Sequence, residues 1–173
     1  MLTAAASVAQ AAVTYYGLTF PERVADAQIG TTHDFETKDP GLGYSVRYQK
    51  PGWGIDIYIY DLGRSSIPSD LGSDALKAQI KQAQGDIFEQ QQRGTYANVK
   101  MTRSYVIKDT AGRSRFLCEA FTYARQNVDV DSYLCLTGWN DKFIKFRLTA
   151  ARGSRNAAEA LRFMEAWLRV LWP

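Results

Sequence analysis

Residues 44–60 read YSVRYQKPGWGIDIYIY, and this stretch decides the fold. Tyr44, Val46 and Tyr48 alternate with Ser45, Arg47 and Gln49, a period of two with one apolar face, as a half-buried strand requires. Lys50-Pro51-Gly52-Trp53 follows. Pro presets φ at the second position of a turn and Gly accepts positive φ at the third, so a type II turn is expected. Beyond it, Trp53, Ile55, Ile57 and Ile59 alternate with Gly54, Asp56, Tyr58 and Tyr60. The two runs make an antiparallel hairpin.

Working outward, DLGRSSIPSDLG at 61–72 clusters Gly, Pro, Ser and Asp and reads as loop. Ser73 or Asp74 caps a helix running to about Arg93. Leu76, Ile80, Ala83 and Ile87 give that helix one apolar stripe, and Gly94 stands where a left-handed C-terminal residue belongs. Four strands follow: Val99–Lys108, Arg115–Ala124, Asp131–Thr137 and Lys142–Thr149. Short connections at 109–112, around Gln126-Asn127 and at 138–141 make neighbouring strands antiparallel. A last helix begins near Asn156, where Asn156 and Glu159 have the spacing of a capping box. Its stripe is Leu161, Met164, Leu168 and Leu171 with Trp167. Upstream of the hairpin, Leu18 and Phe20 precede Pro21 as a short strand, and Gln28–Thr37 has the polar look of an edge strand. The expected fold is α+β: a single, mainly antiparallel sheet of about six or seven strands covered by two amphipathic helices.

With Gln126-Asn127 as the centre of a hairpin, Cys118 and Cys135 fall directly opposite one another. Opposed strand residues have Cα separations of roughly 4.5–5.5 Å, within the range a disulfide accepts. Closing a loop of about 18 residues would add roughly 3 kcal/mol in the chain-entropy model. A register shift of two residues in the loop would remove the pairing and leave two buried thiols.

The N-terminus reads MLTAAASVAQA, small and apolar without charge, and Ala9-Gln10-Ala11 has the small-x-small pattern of a leader cleavage site. Residues 1–11 are therefore expected to be the remnant of a signal peptide and 12–173 one domain, placing the protein in the periplasm or outside the cell. The competing reading is an Ala-rich tail on a cytosolic chain. Two cysteines suit the exported reading. The net charge is +3, from 21 Lys and Arg against 18 Asp and Glu, too little for a nucleic-acid footprint. Arg147, Arg152 and Arg155 make the one local basic cluster, and small residues break it up. No run of 18 apolar residues offers a membrane span.

Motifs for chemistry are sparse. His33 is the only histidine and cannot build a multi-His metal centre, and no GxSxG signature accompanies it. Gly41-Leu42-Gly43 resembles part of a phosphate-binding loop but leads into a strand, so it reads as a turn. Asp56, Asp61 and Asp70 are the acidic residues near a loop, with Asp61 and Asp70 read as turn and cap residues. No catalytic residue, metal ligand or cofactor motif emerges. The candidate binding patch is Tyr58, Tyr60, Asp61 and Arg64, because aromatic residues beside Arg are the composition of interaction hot spots. Burial of the two Tyr beneath a helix is the bland alternative.

The order of elements, with GLGYSVRYQKPGWGIDIYIYDLG (41–63) and DSYLCLTGWNDKFIKFRLT (131–149), resembles the PsbP-like α/β/α sandwich. The same segments resemble a family of uncharacterised exported bacterial proteins ending in a helix that closes on LWP. The resemblance implies an accessory or binding role and carries no catalytic residue with it. Three functions follow as expectations. The first is a non-catalytic exported module binding an envelope protein. The second is a small-molecule or lipid-binding domain with a pocket between sheet and helix lined by residues such as Phe121, Tyr123 and Phe146. The third, ranked last, is a hydrolase using acidic or Ser residues.

Overall fold

The structure is a computed structural model that describes residues 11–173. The expected leader at 1–11 lies, but for Ala11, outside the described residues.

Ten strands and two helices follow in chain order. β1 (Val13–Tyr15) and β2 (Leu18–Phe20) pair only with each other. β3 (Arg23–Val24), β4 (Ala27–Asp34), β5 (Tyr44–Lys50) and β6 (Trp53–Tyr60) lead to helix α1 (Asp74–Gln92). β7 (Ala97–Lys108), β8 (Ser114–Arg125), β9 (Val128–Trp139) and β10 (Lys142–Ala151) then lead to helix α2 (Asn156–Leu171). β3 to β10 form one sheet of eight strands in the order β3-β4-β5-β6-β10-β9-β8-β7, every pair antiparallel. The expected six or seven strands become eight plus a hairpin, because pieces of two and three residues are too short to show a period. Gln28–Thr37 shortens to β4, which lies one place in from the edge, although β3 pairs with only its first two residues.

Strand alternation sorts side chains onto two faces. One face carries Val46, Tyr48, Ile55, Ile57, Ile59, Phe146, Leu148 and both cysteines, and α2 packs there through Ala160, Phe163, Met164, Trp167 and Leu171. Trp167 is the hub, edge-on to Phe20, Tyr48 and Phe146 at 5.3–6.1 Å between ring centres. The other face carries Phe121, Tyr123, Leu134, Leu136, Tyr60 and Phe143 under α1 and the 61–72 loop, with Leu76, Ala83, Ile87, Ile67 and Leu71 closing on them. Phe146 therefore points away from Phe121 and Tyr123, and all three are buried in packed cores. The expected pocket lined by these three does not exist, because the ladders set Phe146 beside Cys135 and Cys118 on the α2 side, whereas Phe121 and Tyr123 alternate with Cys118 on β8 and face α1.

Turn chemistry sets the register. Gln126 and Asn127 both have positive φ (50° and 63°), as do Asn140 and Asp141 (46° and 57°), the signature of two-residue hairpin loops whose twist matches the strands. Arg125 accordingly pairs with Val128, and Cys118 pairs with Cys135. The disulfide is formed, with a Cα separation of 4.1 Å. Gly52 at φ 78° fits the expected type II turn. Gly138 lies within β9 because the loop crosses directly above it, and a Cβ there would overlap the Pro68 carbonyl.

The helices differ at their starts. Ser73 caps α1, its hydroxyl accepting from the Leu76 amide at 3.4 Å. In α2 the expected capping box is absent. Asn156 instead donates to Asp131 Oδ2 (2.9 Å) and the Ala151 carbonyl (2.7 Å). Glu159 accepts from Lys50 Nζ (2.8 Å) and Trp53 Nε1 (3.1 Å), tying α2 to the β5–β6 turn. Tertiary partners outbid the local ones here. Leu161, expected in the buried stripe, is 42% exposed, and Ala160 and Phe163 fill the core-facing positions instead.

Candidate functional site

α1 lies against β9 and β7, so it covers only part of its face of the sheet. Beyond its edge that face turns polar. Across β4, β5, β6 and β10 run His33, Ser45, Tyr58 and Lys145, and beside them Arg47, Asp56 and Arg147. The facing edge of α1 is also polar, with Gln79, Gln82, Asp86 and Gln90 at helical spacing. A cleft opens between the two. Its inner part, about 190 Å³, is lined by Tyr58, Asp86, Gln90, Tyr96, Lys145 and Arg147. Its outer part, about 280 Å³, runs on from Tyr58, Asp86 and Lys145 to Phe35, Leu42 and Leu62.

The electrostatics of the cleft are unusual. Lys145 is half-buried and makes no hydrogen bond or ion pair among the described residues. Its ammonium stands over the rings of Tyr58 (4.6 Å) and Tyr60 (5.5 Å) instead. Burial pushes its pKa below the usual 10.5; Asp86 offsets part of this and Arg147 adds to it. Arg147 has a buried Nη1 without a hydrogen-bond partner and no ion pair within 4.0 Å. Asp56, its cross-strand neighbour, leans to Arg47 at 3.8 Å, and burial raises its pKa although Arg47, Arg147 and His33 pull it down. Burial likewise raises the Tyr58 and Tyr60 hydroxyls, and Tyr60 Oη accepts from Gln79 Nε2 at 3.0 Å.

The sequence-derived patch is distributed around this site. Tyr58 and Tyr60 share the α1-side face, Tyr60 buried and Tyr58 forming the cleft wall. Asp61 turns to the other side, where Lys142 Nζ donates to it at 2.6 Å, and its second oxygen accepts from the Gly63 amide at 2.7 Å. Arg64 is exposed in the loop and its side chain makes no hydrogen bond or ion pair among the described residues. Lys145 escaped the sequence reading, and Arg147 entered it only as part of a basic cluster. The signal was FIKFRLT at 143–149, where alternation sets Lys145, Arg147 and Thr149 on one face, but not that α1 stops short of them.

The other candidates stand apart. His33 is exposed on β4, and among the described residues no three His, Cys, Asp or Glu side chains gather as for a metal. The amides of Gly41 and Gly43 donate to Glu36 Oε2 at 2.9 and 2.8 Å, so the chain's own carboxylate occupies that turn. Gly43, at φ 65°, cannot take a side chain, since a Cβ would overlap the Ile59 carbonyl. Asp70 accepts from the Gly72 amide at 3.0 Å as a turn residue. The basic cluster disperses: Arg147 faces the cleft, while Arg152 pairs with Asp129 (2.9 Å) and Asp131 (3.5 Å).

Among the described residues no helix is long and apolar enough to cross a membrane. No family model and no curated protein matches the sequence. Solved structures do. A protein of unknown function from Pseudomonas aeruginosa, PA94, aligns over 92% of this chain and 96% of its own at 12% identity, with a TM-score of 0.45. The cyanobacterial PsbP protein (CyanoP) of Synechocystis sp. PCC 6803 aligns over 96% of both chains at 13% identity, with a TM-score of 0.52. An eight-stranded antiparallel sheet with one helix on each face, built as described above, is thus a PsbP-like fold.

Proposed function

We propose that the protein is an exported, non-catalytic binding module, one domain over residues 12–173 behind a cleaved leader, and that the cleft beside α1 is its working site. The observation that carries this reading is the pair Lys145 and Arg147, half-buried side by side on one strand face, neither with an ion pair among the described residues. Burying a charge without a partner costs stability, and departures of this kind concentrate at functional sites. Neither cation has a nucleophile or acid–base partner at hydrogen-bond distance, which favours binding over chemistry. The Cys118–Cys135 bond supports export, since disulfides persist in oxidising compartments.

A thermal-shift screen of small carboxylates, phosphates and amphiphiles tests the reading. A ligand at one hundred times its Kd stabilises by about 2.7 kcal/mol, roughly 5–10 °C for a domain of this size. The shift should vanish in Lys145→Gln and in Tyr58→Ala. A hit whose shift survives both variants, or a screen without a hit, refutes the cleft as the site.

A second reading, an envelope accessory that binds a protein, is favoured by the open polar strip of His33, Arg47 and Asp56 beside Tyr58. It predicts that Arg47→Glu abolishes a complex that Lys145→Gln leaves intact.

A further inference from the structure

We propose that the cleft binds a small amphipathic anion, with its carboxylate held between Lys145 and Arg147 and its apolar tail lying across Phe35, Leu42 and Leu62. The inference rests on the cleft being the working site and adds the class of ligand.

The charged end follows from what the cations lack. Arg147 offers a buried N–H with no acceptor, and Lys145 offers an ammonium that stands over two aromatic rings, with Asp86 in the same cleft but beyond ion-pair distance. They stand two residues apart on one strand face, roughly 6.6 Å along the strand, close enough for one carboxylate to meet both side chains. The carboxylates already nearby do not close the pair. Asp86 lines the cleft without an ion pair, and Asp56 leans to Arg47 at 3.8 Å rather than to Arg147. A carboxylate entering here would gain charge-assisted hydrogen bonds and remove an existing cost.

The apolar end follows from where exposed hydrophobic side chains gather. Seven large apolar residues are exposed among the described residues, and Phe35, Leu42 and Leu62 (39%, 44% and 40%) all line the outer cleft. One of the three is held there by costly backbone. Leu62 has φ 56°, a conformation in which Asn, Asp or Gly is far better tolerated than Leu. Leu42 sits between Gly41 and Gly43, both at positive φ. A polar residue would suit position 62 better on conformational and hydration grounds alike, and position 42 better on hydration grounds, so the leucines answer to something outside the chain.

The two ends belong to one trough, because both parts of the cleft share Tyr58, Asp86 and Lys145. Along β6, Tyr58 is opposite Lys145, Tyr60 ends the strand, and the turn that carries Leu62 follows directly. Tyr58 and Tyr60 form the floor between the charged end and the apolar rim.

The test titrates the full chain with sodium octanoate, sodium acetate and 1-octanol, followed by amide chemical shifts and calorimetry. Octanoate should bind at least tenfold tighter than either partial probe. Lys145→Gln and Arg147→Gln should each weaken octanoate at least fivefold and leave octanol unchanged. Leu62→Asn, which suits its backbone conformation, should weaken octanoate about threefold and leave acetate unchanged. Octanol binding as tightly as octanoate overturns the charged end, and acetate binding as tightly overturns the apolar end. If none of the three binds while the broader screen yields a ligand lost in Lys145→Gln, this inference fails and the binding-module reading stands. If neither experiment yields a ligand, both fail.

Discussion

On the α2 side of β6 and β10, Ile55, Ile57 and Ile59 stand against Leu148, Phe146 and Ile144, and none of the six is more than 1% exposed. On the other side of the same strands, Gly54, Asp56 and Tyr58 stand against Thr149, Arg147 and Lys145, and none of these is fully buried. The backbone pairing is common to both, so the difference belongs to side chains and cover. A full helix seals the first face with a continuous apolar core. The second is half sealed, and at the uncovered margin the chain places cations it does not neutralise. One face accumulates stability and the other gives some of it up.

Four variants break or sharpen this contrast. The largest effect should come from Trp167→Ala, which empties the centre of the sealed face; aromatic truncations in cores cost about 3–5 kcal/mol. Chemical denaturation would measure it, and a loss below 1 kcal/mol would contradict the assignment of Trp167 as the hub. Next is Cys118→Ser with Cys135→Ser, on the same face, expected to cost roughly 3 kcal/mol. Thiol titration of the denatured wild type should find no free thiol before reduction and two after it.

On the open face the sign reverses. Lys145→Met should raise stability at neutral pH by about 1 kcal/mol, because it replaces a poorly solvated charge with an apolar side chain of similar length. Burial holds the Lys145 pKa below 10.5, so its charged form opposes folding below its folded-state pKa. That penalty fades as pH rises through the lowered value towards 10.5, and the advantage of the Met variant should shrink with it. Melting curves from neutral to alkaline pH would show a constant gap if burial of the charge were not the cause.

The smallest effect concerns the paired counterpart on β10. Burial pushes the Asp61 carboxyl up, but the hydrogen bonds from Lys142 and the Gly63 amide and the Lys142 charge outweigh it, leaving the pKa below the usual 3.8. Its contribution is therefore complete above pH 3.8 and is lost as pH falls through the lowered value. Asp61→Asn should flatten the acid limb of the stability profile modestly. An unchanged acid limb would mean that the Lys142 pairing contributes nothing.

Much of this architecture is legible in residues 44–60 and 114–139, where alternation is strict and turn residues fix the register. Gln126-Asn127 sets the loop, and the cysteine pairing follows from counting. The start of α1 is legible because Ser73 caps it locally. The start of α2 is not, because Asn156 and Glu159 spend their polar groups on Asp131, Lys50 and Trp53, distant in sequence. The cleft is half legible. Alternation shows that Lys145 and Arg147 oppose Ile144, Phe146 and Leu148, but whether that polar row meets helix or open space depends on how far α1 reaches across the sheet. Tyr58 was found through composition, while Arg64 met the same criterion and stands in solvent.

The far end of the sheet has a consequence of its own. β7 is a twelve-residue edge, and its ladder to β8 slips at three places, between Ala97 and Lys100, Met101 and Arg103, and Ile107 and Lys108. Lys100, Arg103 and Lys108 project along it. An approaching strand from another molecule would have to reproduce every irregularity while meeting positive charge, so growth of the sheet into an open-ended polymer stops here.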